Sequence, residues 1–413
     1  MEMDAVVLGA GMVGVSVALH LQQRGWHVVL VDRKAPGLET SFGNAGLIQC
    51  EAVYPYAFPR DWGQILHYAS NRALDVRYHW SALPREAPFL ARYWYHSHPL
   101  RHAQIARAWS GLILHSQAEH RALLQHTDAA PPVRESGWLK LFRSARKLDE
   151  ELHHAQRIQR EYGVAFEALD GAALRQREPA LQANLAGAVH YTQAWSVDDP
   201  GALVQAYARL FVQRGGRVLR GDATSLQQGW QVQTEAGTLR ARAAVVALGP
   251  WSDALCRRLG YAVPMGHKRG YHRHYTGAGA AALQRPVLDA ERGYVLAPMA
   301  RGVRLTTGAE LGAVDTPPTP VQLQRLEPIA RDLVALGDAL EPQPWMGARP
   351  CMPDMLPVIG AAPRHPGLWC AFGHGHQGFT LGPVTGRLLA EMMVGGTTLV
   401  PPEPFRLDRF QSG

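Results

Sequence analysis

Lysine is nearly missing from the chain: of its 42 Lys and Arg residues only Lys34, Lys140, Lys147 and Lys268 are lysines. The arginines form no polybasic block. The formal charge of +7 therefore lacks the clustered footprint of a nucleic-acid-binding face, and no nucleic-acid partner is expected. Cysteine is equally scarce. Cys50, Cys256, Cys351 and Cys370 lie far apart without metal-ligand spacing, which argues against a disulfide framework and against zinc, and no metal is expected. No run of about 18 apolar residues occurs, so a membrane-spanning helix is not expected. The start of the chain leads straight into a strand without the pattern of a signal peptide, which favours a cytoplasmic location. Repeats and low-complexity linkers are absent too. At 413 residues, 46% hydrophobic and 19% charged, the chain has the makings of two lobes or one interleaved α/β body.

The first residues carry the clearest pattern. Ala5 to Leu8 is a short apolar run suited to a buried parallel strand. Gly9-Ala10-Gly11-Met12-Val13-Gly14 follows, then a helical pattern from Met12 to Arg24 closed by Gly25, then a second apolar strand, His27 to Val31, ending on Asp32. Each piece has a physical task. Gly9 permits the tight turn, Gly11 admits a pyrophosphate, and Gly14 lets the helix pack close to the strand. The helix N-terminus offers free N–H groups to phosphates, and Asp32 is placed to accept from ribose hydroxyls. Strand, glycines, helix, strand and acid arrive in order, which makes a dinucleotide site. The unit alone does not separate FAD from NAD. Arg33 and Lys34 resemble a clamp for the 2′-phosphate of NADP, but Asp32 would repel that phosphate. Thr40-Ser41-Phe42-Gly43-Asn44-Ala45-Gly46 is a small, glycine-rich loop able to lie along a flavin.

Further on, Tyr54 to Tyr95 is rich in aromatic residues and proline without a clean period, and suits a substrate-side lobe. Helices are predicted over Arg101 to His126, Ala145 to Tyr162, from Asp199-Pro200 onward, and within Pro317 to Leu340. Short strands are predicted at Arg217 to Arg220, Trp230 to Thr234 and Thr238 to Arg242, with a separate buried strand at Ala243 to Leu248. Its end, Gly249-Pro250-Trp251-Ser252, is either a close pass beside a dinucleotide or an ordinary strand-to-helix turn. Tyr294 to Pro298 and Gly302 to Thr307 read as an antiparallel pair. After Gly347-Ala348-Arg349-Pro350, Pro357 to Gly360 and Gly373 to Gly378, a helix is predicted to begin near Pro383 and close at Gly395, with its N-terminus suited to negative charge on a flavin.

These segments together resemble the D-amino-acid oxidase superfamily over nearly the whole chain, and within it the bacterial FAD-dependent D-amino-acid dehydrogenases, especially the D-hydroxyproline dehydrogenase branch. The resemblance implies a Rossmann-like FAD-binding domain interleaved with an antiparallel-sheet substrate domain, an α/β fold with an α+β substrate lobe. The FAD-binding part is expected over 1–70, 145–255 and 345–413, and the substrate part over 71–144 and 256–344. FAD is the implied cofactor, held by Gly9, Gly11, Met12, Val13, Gly14, Asp32, Arg33, Ser41, Asn44, Ala45, Gly46, Leu47, Gly249, Trp251, Gly375, Gly378, Phe379 and Thr380. Arg349, in the Gly-x-Arg-Pro motif, is the implied partner of a substrate carboxylate. Tyr271 matches the aromatic position of the family's Lys-Gly-Tyr segment, written here Lys268-Arg269-Gly270-Tyr271. His374 and His376 fall in a flavin-edge loop, as substrate contacts or as structural histidines, and Tyr54 is a candidate contact from the substrate lobe.

The implied reaction is dehydrogenation of a D-amino acid in amino-acid catabolism, with Cα–H aimed at flavin N5 and the neutral amine assisting hydride departure. The expected substrate is cis-4-hydroxy-D-proline ahead of D-alanine-type amino acids. The electron acceptor, a quinone or a carrier protein, is left open, and association with further subunits or peripherally with an inner membrane is compatible with the resemblance. Three alternatives stand beside this reading: a glycine- or sarcosine-type amine oxidase using O₂, a non-catalytic flavin subunit of a larger dehydrogenase, and a tRNA-modifying flavoprotein.

Overall fold

The computed structural model describes residues 3–279 and 281–410. Five strands form a parallel sheet in the spatial order Arg217–Gln227, Val28–Asp32, Met3–Leu8, Gly237–Val246 and Leu368–Phe372. Val358–Ala361 adds an antiparallel edge. Alternation along the strands gives the sheet two apolar faces, as a parallel sheet covered on both sides requires. Ala5 and Val7 face one core with the helices Met12–Gln22, Pro200–Gln213 and Gly378–Met393. Val6 and Leu8 face the other, with Leu226, Trp230 and Val232 of a hairpin layer built by Arg217–Gln227, Gln231–Thr234 and Gly237–Val246. The strands predicted separately at Thr238 to Arg242 and Ala243 to Leu248 are thus one strand, which leaves the hairpin and enters the parallel sheet.

The second sheet is larger and mostly antiparallel. Its hub is the long strand Gly266–Gly277, which pairs with Gly302–Thr306, Ala309–Leu311, Leu336–Ala339 and Trp345–Cys351. The predicted pair Tyr294–Met299 and Gly302–Thr306 is antiparallel as expected. Three strands inside segments expected to belong with the FAD-binding part join this second sheet instead: Phe166–Asp170, Gly187–Tyr191 and Trp345–Cys351. Local pattern identifies a strand but not its partner, because pairing is a long-range property.

Two predicted helices change their bounds. The stretch Pro317 to Leu340 divides into the helix Val321–Leu333 and the strand Leu336–Ala339. The last helix begins at Gly378, not near Pro383. Pro383 lacks the N–H that would reach the Phe379 carbonyl one turn back. His120 takes that place, with Nε2 3.0 Å from Phe379 O and 3.2 Å from Thr380 O, and Nδ1 3.1 Å from Tyr207 Oη. Burial lowers the His120 pKa to about 4, so a neutral ring donates from Nε2 and accepts the tyrosine proton at Nδ1. The aromatic stretch without a period contains the helices Trp62–Ala69 and Leu83–His96 and the short strand Val76–Tyr78.

Candidate active site

A cavity of about 480 Å³ opens between the C-terminal ends of the parallel strands and the hub of the second sheet. Such a volume is typical of small-molecule and cofactor sites. At one end lie Gly9, Gly11, Met12, Val13, Asp32 and Trp251; at the other lie Tyr56, Gly270, Arg349, Gly375 and His376.

The first end is shaped by close main-chain contact. Gly9 has φ +106°, and a Cβ there would sit 2.4 Å from Ala247 O; a Cβ on Gly14 would sit 1.8 Å from Gly9 O. Only glycine allows the helix to begin so near the strand. Gly14 therefore lies behind the cavity wall, as its packing role requires. Asp32 Oδ2 accepts from Ala10 N at 2.6 Å and Oδ1 from Lys34 N at 2.9 Å. Arg33 stacks over the Trp251 ring at 4.2 Å and pairs with Glu39 at 2.9 Å, a carboxylate shared with Lys34 at 3.1 Å.

The loop after Asp32 is held from two sides. Ser41 Oγ accepts the Met12 N–H at 3.0 Å. From the second sheet, Arg304 donates to the carbonyls of Phe42 and Asn44. Its Nε donates to His274 Nε2 at 3.0 Å, which leaves His274 Nδ1 to carry the proton shared with Glu341 at 2.7 Å. Asn44 and Ala45 reach the cavity wall, as does Leu47. Gly46 does not; it adopts φ +77° against Val197. Thr380 also stands behind the wall, with Oγ1 between Leu47 O and Gln49 N. Gly249, Gly375, Gly378 and Phe379 line the cavity.

The other end is built of side chains. Arg349 lies directly across the ladder from Lys268. Its guanidinium rests on Gly270, where a Cβ would come within 2.6 Å of Nη2. It donates to Gly308 O at 2.8 Å and Thr307 O at 3.4 Å, and no carboxylate pairs with it among the described residues. Lys268 Nζ faces the Tyr93 ring at 4.4 Å and likewise has no described carboxylate partner. His376 packs against Tyr56, ring centroids 4.8 Å apart. Burial first, then Arg349 and Lys268, lower its pKa to about 3, so the ring is neutral.

One candidate is corrected. Tyr54 is not at the cavity: its hydroxyl pairs with Glu161 and its ring with Tyr162 and Arg157. The tyrosine at the cavity is Tyr56, 60% exposed within it; an irregular stretch gave no period by which to choose between them. Tyr271 borders the cavity, but its hydroxyl is spent. It donates to Glu310 Oε1 at 2.8 Å and accepts from Thr319 N and Arg269, both at 2.9 Å.

Residues the sequence reading passed over include Gln49, Trp138 and Trp345 on the cavity wall. Behind the wall, Glu51 accepts from Gln49 Nε2 at 2.7 Å and Trp138 Nε1 at 2.8 Å. Burial raises its pKa to about 7. A signal did exist for Arg304, a lone cation in the apolar strand Gly-Val-Arg-Leu-Thr.

A flavin dinucleotide fits these residues. The Met12–Gln22 helix meets the cavity with no acid in its first turn and no side-chain cap from Gly11, which leaves its positive end for a pyrophosphate. The Gly378–Met393 helix also starts at the cavity without an acid in its first turn.

Comparison with known proteins agrees. A family model described as FAD dependent oxidoreductase (DAO) matches residues 4–392. A D-amino-acid oxidase of Bradyrhizobium diazoefficiens is 30% identical over 98% of this chain and 98% of its own length. A D-amino acid dehydrogenase of Cereibacter sphaeroides is 31% identical over 99% and 95%. Among solved structures, glycine oxidase from Geobacillus kaustophilus shares the fold with a TM-score of 0.74 at 22% identity, over 99% of each chain.

Proposed function

Because the chain belongs to the DAO family of FAD-dependent oxidoreductases, we propose that it dehydrogenates a D-amino acid at Cα and passes the electrons to a quinone or carrier protein. FAD is its cofactor and, when bound, supplies the acceptor for the Cα hydride. The protein's own part is to bind, orient and set protonation.

The observation that carries this reading is the pair Arg349 and Lys268, two cations directly opposed with no carboxylate for either among the described residues. Like charges so placed repel. A substrate carboxylate seated on Arg349 removes that repulsion and gains charge-assisted hydrogen bonds that a planar guanidinium makes in pairs. The same two cations disfavour a third positive charge, and so favour the neutral amine whose lone pair assists departure of the Cα hydrogen. Neutral His376 does not compete for the carboxylate. A primary imine product hydrolyses to a 2-oxo acid, and a cyclic substrate gives a pyrroline carboxylate.

The preferred substrate in this reading is cis-4-hydroxy-D-proline. The Tyr56 hydroxyl and the His376 ring make no hydrogen bond among the described residues, and together they offer a polar spot for a ring hydroxyl. A second reading, in which O₂ is the acceptor, is favoured by the similarity to the Bradyrhizobium D-amino-acid oxidase.

Anaerobic titration of the purified flavoprotein with cis-4-hydroxy-D-proline, D-proline, D-alanine, sarcosine and the L-forms tests the proposal. Bleaching of the flavin by D-forms, with electrons reaching a dye faster than oxygen, is the expected result. Stoichiometric peroxide in air selects the oxidase reading. Flavin that no amino acid bleaches overturns both and leaves a non-catalytic flavin subunit.

A further inference from the structure

The helix Trp62–Ala69 puts Trp62, Ile65, Leu66 and Ala69 at the i, i+3, i+4, i+7 spacing of an apolar stripe, which a globular protein turns inward. Here it is turned outward. The helix has no buried residue, and Trp62 is 73% and Leu66 68% exposed. Trp80 and Leu100 are 66% and 74% exposed, and Trp94 and Tyr95 are exposed as well. Half of the large exposed hydrophobic side chains among the described residues thus fall between 62 and 100. Apolar surface gathered in this way marks an interaction site, whereas the same residues scattered would mean nothing.

Contacts tie several of these side chains together. Arg60 stacks on the Trp94 ring at 4.1 Å and donates to Trp94 O at 2.8 Å, tying the end of Leu83–His96 to the start of Trp62–Ala69. At the other end of that short helix Tyr78 Oη donates to Ala69 O at 2.6 Å, and the Tyr78 ring meets Trp80 edge-on at 5.0 Å. Arg101 stacks on Tyr95 at 3.6 Å.

The charge of the face is mostly positive. Arg72, Arg85 and Arg92 are exposed beside Arg60 and Arg101. Of the acids of the same stretch, Asp61 is exposed and caps the short helix through Gln64 N, Asp75 accepts from Tyr68, and Glu86 is buried.

We propose that residues 60–101 form a docking face for an anionic lipid bilayer. Tryptophan and leucine enter the boundary between headgroups and acyl chains, and arginines with apolar stems hold lipid phosphates there. A second copy of the same face brings the same positive charge, so an isologous dimer through it is opposed. No described helix is long and apolar enough to cross a membrane, which fits a protein that lies on the surface. Tyr56, at the cavity, leads directly into this stretch, and Tyr93 within it faces Lys268. The bilayer therefore meets the substrate side of the molecule.

The test is co-sedimentation of the full-length, flavin-loaded protein with phosphatidylcholine vesicles, with and without phosphatidylglycerol. Binding is expected to the anionic vesicles and to weaken with salt. Trp62→Ser with Leu66→Ser weakens it at least about tenfold. Arg60→Ser with Arg101→Ser weakens it about fivefold per charge and removes much of the salt dependence. Both variants keep wild-type flavin content and the wild-type rate of dye reduction. No binding to anionic vesicles overturns the proposal, as does a Trp62→Ser/Leu66→Ser variant that binds like wild type. A wild-type dimer that the same variant dissociates assigns the face to a second copy instead.

Discussion

At its dinucleotide end the cavity is walled by main chain from adjoining residues, with Gly9 and Gly14 in contact across one turn. At its substrate end it is walled by side chains from distant stretches, represented by Tyr56, Tyr271, Arg349 and His376. The first end has no room for a Cβ at Gly9 or Gly14 and asks little of charge. The second is open and is governed by two unneutralised cations and a neutral imidazole. A cofactor common to a family can be held by backbone, which every sequence has, while a particular substrate must be chosen by side chains.

Gly14→Ala strikes the backbone end hardest. A Cβ at 1.8 Å from Gly9 O separates helix from strand, and FAD affinity is expected to fall at least about a thousandfold, roughly 4 kcal/mol, giving colourless purified protein. Arg349→Lys strikes the other end. It should leave the flavin spectrum intact and raise KM by about one hundredfold, near 3 kcal/mol for a lost paired contact, in steady-state assays. Loss of flavin in this variant would break the distinction between the ends. Arg304→Met lies between them, since Arg304 reaches from the second sheet to the carbonyls of Phe42 and Asn44. FAD affinity should drop about tenfold, or 1.4 kcal/mol, by fluorescence titration, with KM little changed.

The smallest effect concerns pH. Buried Glu51 has a pKa raised to about 7, above its unfolded value near 4.3. Its contribution to stability is therefore complete below about pH 4 and is lost as pH rises through 7. Glu51→Gln keeps the acceptor for Gln49 and Trp138 without that titration. Relative to wild type, its melting temperature should gain about 1–3 °C between pH 5.5 and pH 8.5, measured with saturating FAD.

The same contrast decides what was legible in the sequence. Gly9, Gly11, Gly14 and Asp32 lie within one strand–helix–strand unit, where spacing alone fixes geometry, and the fold class followed from them and from the family resemblance. Arg349 was legible through its motif. Tyr56 was not, because nothing local distinguishes it from Tyr54. Lys268 becomes informative only when Gly266–Gly277 is seen to pair with Trp345–Cys351. The sheet membership of Phe166–Asp170 and Gly187–Tyr191 escaped for the same reason. The start of the last helix escaped because Pro383 reads as a boundary until His120, from a distant helix, is found on the carbonyl it leaves free.

That last helix lies against the first at backbone distance, with Gly382 over Met12 and Gly386 over Ser16. The two surfaces stand near opposite ends of the chain, so during synthesis the first waits for the second. Until Gly378–Met393 has left the ribosome, the face of Met12–Gln22 that meets it has no cover and the cavity lacks a wall, a condition that invites chaperone binding. Flavin is then acquired only after translation has passed that point, and a message stopped before Gly378 yields a colourless product.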